Sequence, residues 1–198
     1  MHELGHTLGL RHANRNGIPY ADETGYMAGG SSRRDWPIKC FNGYNHWQLG
    51  FFEDRHMFYN PFRDGHERFD LATFVDYRKT PPGVPIIVNV LNKYYLQYNV
   101  AKGINVDTGA KRDQLTVTEG FPGSSESRAG LSLGRHYLIR NFQGSKRSLV
   151  IRVCRQRKGD KRNPDTLQIS IGLDYANCER SQAPTPSPMH KPTGGTRK

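Results

Sequence analysis

Residues 2–12 read His2-Glu3-Leu4-Gly5-His6-Thr7-Leu8-Gly9-Leu10-Arg11-His12, and this stretch decides how the chain must open its fold. It fits H-E-x-x-H-x-x-G-x-x-H, in which each fixed position has a mechanical task. Residues four apart lie on one face of a helix, so a helix over about 1–10 aims His2 and His6 at one cation. Glu3 is turned toward the water such a cation would hold. Gly9 lets the backbone leave the helix through a conformation that costs other residues energy, and His12 returns from that turn as a third ligand. Three imidazoles and one open position describe a catalytic rather than a structural zinc site. Leu4, Leu8 and Leu10 supply an apolar component, so surface histidines on an amphipathic helix are the alternative. The offsets of Gly9 and His12 weigh against it.

Zinc lowers the pKa of bound water to about 7, which sets Glu3 up as general base and then as proton donor to a leaving amine. Peptide-bond hydrolysis without a covalent intermediate follows from that chemistry. After His12 comes Asp22-Glu23-Thr24-Gly25-Tyr26-Met27-Ala28-Gly29-Gly30, rich in turn formers. A single methionine such as Met27 is as a rule a core gap-filler, and Tyr26 reads either as a cleft-flanking or as an ordinary packing residue.

Further on stands Cys40-Phe41-Asn42-Gly43-Tyr44-Asn45-His46-Trp47-Gln48-Leu49-Gly50-Phe51. With the histidine motif, this segment resembles the gametolysin family of metzincin zinc metallopeptidases, algal proteases of the cell wall and matrix. Tyr94–Asn105 and Leu149–Cys154 are also similar to that family, so the resemblance spans about residues 1–175. It implies a secreted zinc endopeptidase that cuts hydroxyproline-rich glycoproteins. On that matching His2, His6 and His12 are the zinc ligands, Glu3 is the base, and Met27 is the turn methionine beneath the site. Gly29 stands where some metzincins carry a metal-approaching tyrosine, so no fifth ligand is assigned. Ala28 departs from a more usual glycine, and the loop that follows is basic and ends in Trp36-Pro37. In metzincins an upper sheet ahead of the zinc helix walls the substrate cleft. That lobe, a signal sequence and any propeptide are therefore expected upstream, and this chain alone is expected to hold zinc weakly.

The predicted fold class is α+β: residues 1–62 form the C-terminal part of a metzincin catalytic domain, with zinc helix, methionine turn and a short helix over about 41–50. Residues 51–65 read as an aromatic connector. Residues 63–180 form an antiparallel β-sandwich-like domain. Its predicted strands are 69–75, 85–91, 94–100, 114–119, 136–141, 149–153 and 166–171, where Val, Ile and Tyr alternate between Gly, Pro, Asn and Asp clusters. The remainder, 181–198, is a Pro/Ser/Thr-rich basic tail with nothing apolar to bury. No apolar run approaches the length that spans a bilayer, and there is no Asn-x-Ser/Thr sequon.

The formal net charge is +11. Residues 85–198 carry nineteen of the 29 Lys and Arg but only eight of the 18 Asp and Glu. The density peaks at Arg155, Arg157, Lys158, Lys161 and Arg162, which reads either as a solvated hairpin tip or as a polyanion patch for acidic wall or matrix glycans. No nucleic-acid-binding motif accompanies it. Of the three cysteines, Cys154 and Cys178 are placed to form a disulfide in an oxidising compartment. That leaves Cys40 unpaired within the chain, its partner expected upstream; three free thiols are the alternative. His46, His56, His66, His136 and His190 lack ligand-like spacing. A reading from another class is a non-catalytic matrix-binding module that keeps a remnant histidine site.

Overall fold

A computed structural model describes residues 1–29 and 38–179. The tail from 181 on, His190, Gly30 and the Trp36-Pro37 loop lie outside the described residues. The chain folds as α+β, mostly sheet with a few short helices. None of its described helices is long and apolar enough to cross a membrane.

The first sheet runs in the order β1 (Ala13–Asn14), β7 (Ser124–Leu131), β6 (Gln114–Phe121), β5 (Tyr94–Asn99), β4 (Ile87–Val90), β2 (His56–Tyr59). The second runs β3 (Glu67–Ala72), β10 (Thr166–Leu173), β9 (Leu149–Arg157), β8 (His136–Ile139). Inner-face residues of both sheets, among them Leu96, Tyr98, Leu115 and Val117 against Ile151, Val153, Ile169 and Ile171, form one buried cluster. Period-two alternation makes this possible, because every second side chain points to the partner sheet.

Several expectations need correction. The sandwich is not purely antiparallel: β1 pairs with β7, and β2 with β4, in parallel at the two edges of the first sheet. Both edge strands reach their places by long excursions, which parallel pairing requires. Two strands from before residue 62 are therefore hydrogen-bonded into a sheet built by later ones, and the connector over 51–65 contains β2. β7 was not expected, since Ser124-Ser125-Glu126-Ser127-Arg128-Ala129-Gly130-Leu131 has no β-branched or aromatic residue. The strand expected over 69–75 stops at Ala72, because the Thr73 hydroxyl caps Val75 N and starts a short helical turn. The strand from His136 ends at Ile139, and Asn141 turns the chain with φ +49°. Arg155 and Arg157, expected in a loop, belong to β9.

Helix α1 (His2–Thr7) is shorter than the ten residues expected, and α2 (Gly43–Gln48) covers the outer face of the first sheet. Asn42 caps α2 through its side chain, 3.0 Å from Asn45 N. Gly120 leaves no room for a Cβ beside the Tyr44 ring, so α2 sits directly on β6.

Candidate metal centre

The six residues of α1 place His2 above His6 on one face, both half-buried. Their Nε2 atoms lie 3.1 Å apart. Each Nδ1 faces a backbone carbonyl: that of His2 is 2.7 Å from Tyr26 O, and that of His6 is 2.9 Å from Leu10 O. A carbonyl only accepts, so each Nδ1 donates to it, and the Nε2 of each ring is the nitrogen turned toward the other histidine. Zinc–nitrogen bonds of about 2.0–2.1 Å in a tetrahedron place ligand nitrogens about 3.3 Å apart, near the separation seen. With His12, the ligand atoms of all three histidines fall within 4.8 Å of one another. The donor set suits a borderline cation such as zinc.

Helix geometry accounts for the first pair only. Gly9, at φ +84° with open space where a Cβ would stand, ends the helix and reverses the chain. Leu10 is then buried, with its N–H returned to Gly5 O at 3.0 Å. His12 is placed by the first sheet. Arg11 N donates to Gly123 O at 2.6 Å, the Ser124 hydroxyl donates to His12 O at 3.2 Å, and β1 then pairs with β7 from Ala13 onward. The β6–β7 turn thus holds the third histidine from more than a hundred residues away. Burial lowers the His12 pKa, as do the neighbouring His6 and His2, while Glu3 acts in the opposite sense.

Met27 is fully buried with Leu10, Ala13 and Phe41. Its thioether occupies the space a Cβ on Gly5 would need, so the methionine turn packs flush beneath α1. The same turn supplies the Tyr26 carbonyl that orients His2, and Met27 O accepts from Ala13 N at 2.8 Å. Below it, buried Asp22 accepts from the Thr24 hydroxyl at 2.7 Å and from Asn42 Nδ2 at 3.1 Å. Asn42 also donates to Ser125 Oγ at 3.0 Å, which ties the loop to β7. The sequence showed this segment as rich in turn formers, but not these contacts, which join residues distant along the chain.

Glu3 is exposed, with no side-chain hydrogen bond or ion pair among the described residues. Tyr20 was missed in the sequence: its ring lies over His12 at 3.7 Å between centroids, and its φ is +63°. No local pattern marks it, since it arrives through the loop. Leu4 and Leu8, read as part of the helix's apolar component, are about half exposed at 49% and 52%. Only Leu10 reaches the core.

Away from the histidines, Cys154 and Cys178 form the expected disulfide. Cys40 is a free, half-buried thiol whose Sγ lies 3.0 Å from His46 Nε2. His46 in turn is fully buried, with Nδ1 2.9 Å from Gln97 Oε1. Burial pushes the Cys40 thiol up to about 11 and the His46 imidazole down to about 4. The pair is therefore a neutral hydrogen-bonded brace. Of the basic cluster, Arg157 faces Asp70 at 3.8 Å. Arg155, Lys158, Lys161 and Arg162 are exposed and have no side-chain partner among the described residues. The chain matches no protein-family model, no curated protein and no solved structure.

Proposed function

We propose that the chain is a zinc-dependent metalloendopeptidase of gametolysin type, acting on extracellular cell-wall or matrix glycoproteins. The observation that carries this reading is the convergence of His2, His6 and His12, with two of the rings locked by backbone carbonyls so that their Nε2 atoms face a common point. That arrangement fits a single zinc ion held by Nε2 of His2, Nε2 of His6 and a ring nitrogen of His12. When bound, the ion would act as a Lewis acid and make a water acidic near neutral pH.

The rest of the chemistry falls to the chain. Glu3 follows His2 on the same helix, and its unpaired, exposed carboxylate is able to take a proton and return it to a departing amine nitrogen. The Tyr26 and Leu10 carbonyls keep the imidazoles from rotating, as second-layer acceptors do at zinc sites. Met27, packed on Gly5, holds the helix at a fixed height over the turn. Tyr20 shields one face of His12 from water.

The test measures bound metal and hydrolysis of a hydroxyproline-containing peptide for the wild type, Glu3→Ala and His6→Ala. At saturating zinc, one ion per chain is expected in the wild type and in Glu3→Ala, and none in His6→Ala. Hydrolysis should fall at least about a hundredfold in Glu3→Ala, the usual share of a general base. Undiminished turnover in that variant would refute the assignment.

A further inference from the structure

The second sheet carries an arrangement that the histidine site does not use. Arg68 on β3, Ser170 on β10, Arg152 on β9 and His136 on β8 stand directly opposite one another in register, one from each strand. Their neighbours Ile151, Val153, Ile169 and Ile171 fill the inter-sheet core, so this row faces outward. After β10 the chain folds back over the row. It is held by the Cys154–Cys178 disulfide, by the Arg68 guanidinium donating to Cys178 O at 2.9 Å, and by the Tyr175 ring stacked on His66 at 5.0 Å. Gly172 permits this close return, because a Cβ there would stand 2.9 Å from Tyr175 O.

Between the returning segment and the strands lies an open cavity of about 510 Å³, with His136, Leu138, Val150, Arg152, Tyr175 and Asn177 on its walls. Its charges are unequally satisfied. Asp174, also at the wall, is neutralised by Arg147 at 2.7 Å and accepts from Ser148 N at 2.9 Å. Arg68 is occupied by the Cys178 carbonyl. Arg152 has no ion pair, and its Nε is buried without a hydrogen-bond partner among the described residues. A guanidinium so placed lacks the acceptors that a carboxylate or sulfate would supply in bidentate fashion. Beside it, Tyr175 is 58% exposed. One ring face is fixed on His66, which leaves a rigid aromatic surface for the C–H face of a pyranose.

We infer that this cavity binds an acidic saccharide, with Arg152 taking the carboxylate or sulfate, Tyr175 taking the sugar ring, and His136 and Asn177 offering further hydrogen bonds. The site is separate from the histidine centre and does not depend on its reading. It also differs from a diffuse basic surface, because Arg155, Lys158, Lys161 and Arg162 are not on its walls.

Calorimetry on the full chain tests the inference with four probes: a galacturonic acid tetrasaccharide, a sulfated galactan tetrasaccharide, a neutral galactan tetrasaccharide and an oligothymidylate. Binding of one or both acidic saccharides at least about tenfold tighter than the neutral one is expected; the preferred one identifies carboxylate or sulfate as the anion. Arg152→Gln and Tyr175→Ala should each weaken that binding by about tenfold or more. A variant with Arg155, Lys158, Lys161 and Arg162 all changed to Gln should lose less than about threefold. A circular-dichroism melt of each variant establishes that it is folded. Three results would overturn the proposal: affinity in folded Arg152→Gln equal to wild type, equal binding of neutral and acidic sugars, or oligothymidylate bound as tightly as the saccharides. Chelation of metal and Glu3→Ala should leave saccharide affinity unchanged, so failure of the peptidase reading and failure of this one are told apart.

Discussion

The histidine corner and the paired sheets are stabilised in opposite ways. The corner has a small core of Leu10, Ala13, Met27 and Phe41, and its helix spans only six residues. A helix that short is not stable by propensity; the His2 side-chain bond to Tyr26 O, and the backbone bonds of Arg11 and Ala13 just after it to Gly123 and Met27, hold it in place. The sheets share one continuous cluster reaching from Tyr59 to Leu173. A histidine cluster of weak local origin is thus fastened to a rigid body built elsewhere in the sequence. Placement of His12 by Ser124 and Gly123 is the point where the two regions meet.

Breaking the sheets should give the largest effect. Ile151 is fully buried at the centre of the cluster, so Ile151→Ala should cost about 2–5 kcal/mol in urea unfolding. Zinc affinity should fall with it. By contrast, His6→Ala in the corner should abolish zinc binding while changing metal-free stability by less than about 1 kcal/mol. A large metal-free loss in His6→Ala would show that the corner also carries the fold.

Reducing the disulfide comes next. Cys154 and Cys178 are 24 residues apart, and closing a loop of that size contributes about 3 kcal/mol. Denaturation with and without reductant should show that loss. Because the bridge lies on the second sheet, zinc stoichiometry should survive under conditions where the reduced chain stays folded.

A third test uses pH. His46 has a native pKa of about 4 against 6.5 for an exposed imidazole, the cause being burial. The unfolded chain therefore binds the proton more readily between those values. The contribution is complete above about pH 6.5 and is lost as pH falls toward 4, reaching about 3 kcal/mol. His56, lowered chiefly by its own burial, and His12 act in the same direction. His46→Gln should flatten the decline in melting temperature over that range. If the slope is unchanged, the buried brace is not its source.

The smallest effect falls where the corner joins the sheet. Ser124→Ala removes the hydroxyl bond to His12 O and should cost about 1 kcal/mol. It should also raise the zinc dissociation constant several-fold in a chelator competition. An unaltered dissociation constant would mean that the His12 backbone needs no help from the sheet.

Much of the sheet was legible. The strands carrying Leu96, Val117, Ile151 and Ile169 announced themselves by alternation, and their inward-facing residues are the core that formed. β7 stayed hidden because its serines and glutamate are satisfied by partners, such as Asn42 for Ser125 and Gly17 for Glu126, that no local pattern reveals. The outward row of Arg68, Arg152 and His136 was invisible for the same reason: register between strands brings them into line.

The residues alone determined the spacing of His2 and His6, the release of the helix at Gly9 and the alternation that separates core from surface, because these depend on backbone geometry over a few positions. Tertiary structure decided where His12 stands, that Tyr20 covers it, that Tyr26 and Leu10 fix the imidazole tautomers, and that Arg152 lies unpaired in a cavity. Each of those depends on hydrogen bonds or packing between groups distant along the chain or carried in by a turn, and periodicity in one segment holds no information about its partner.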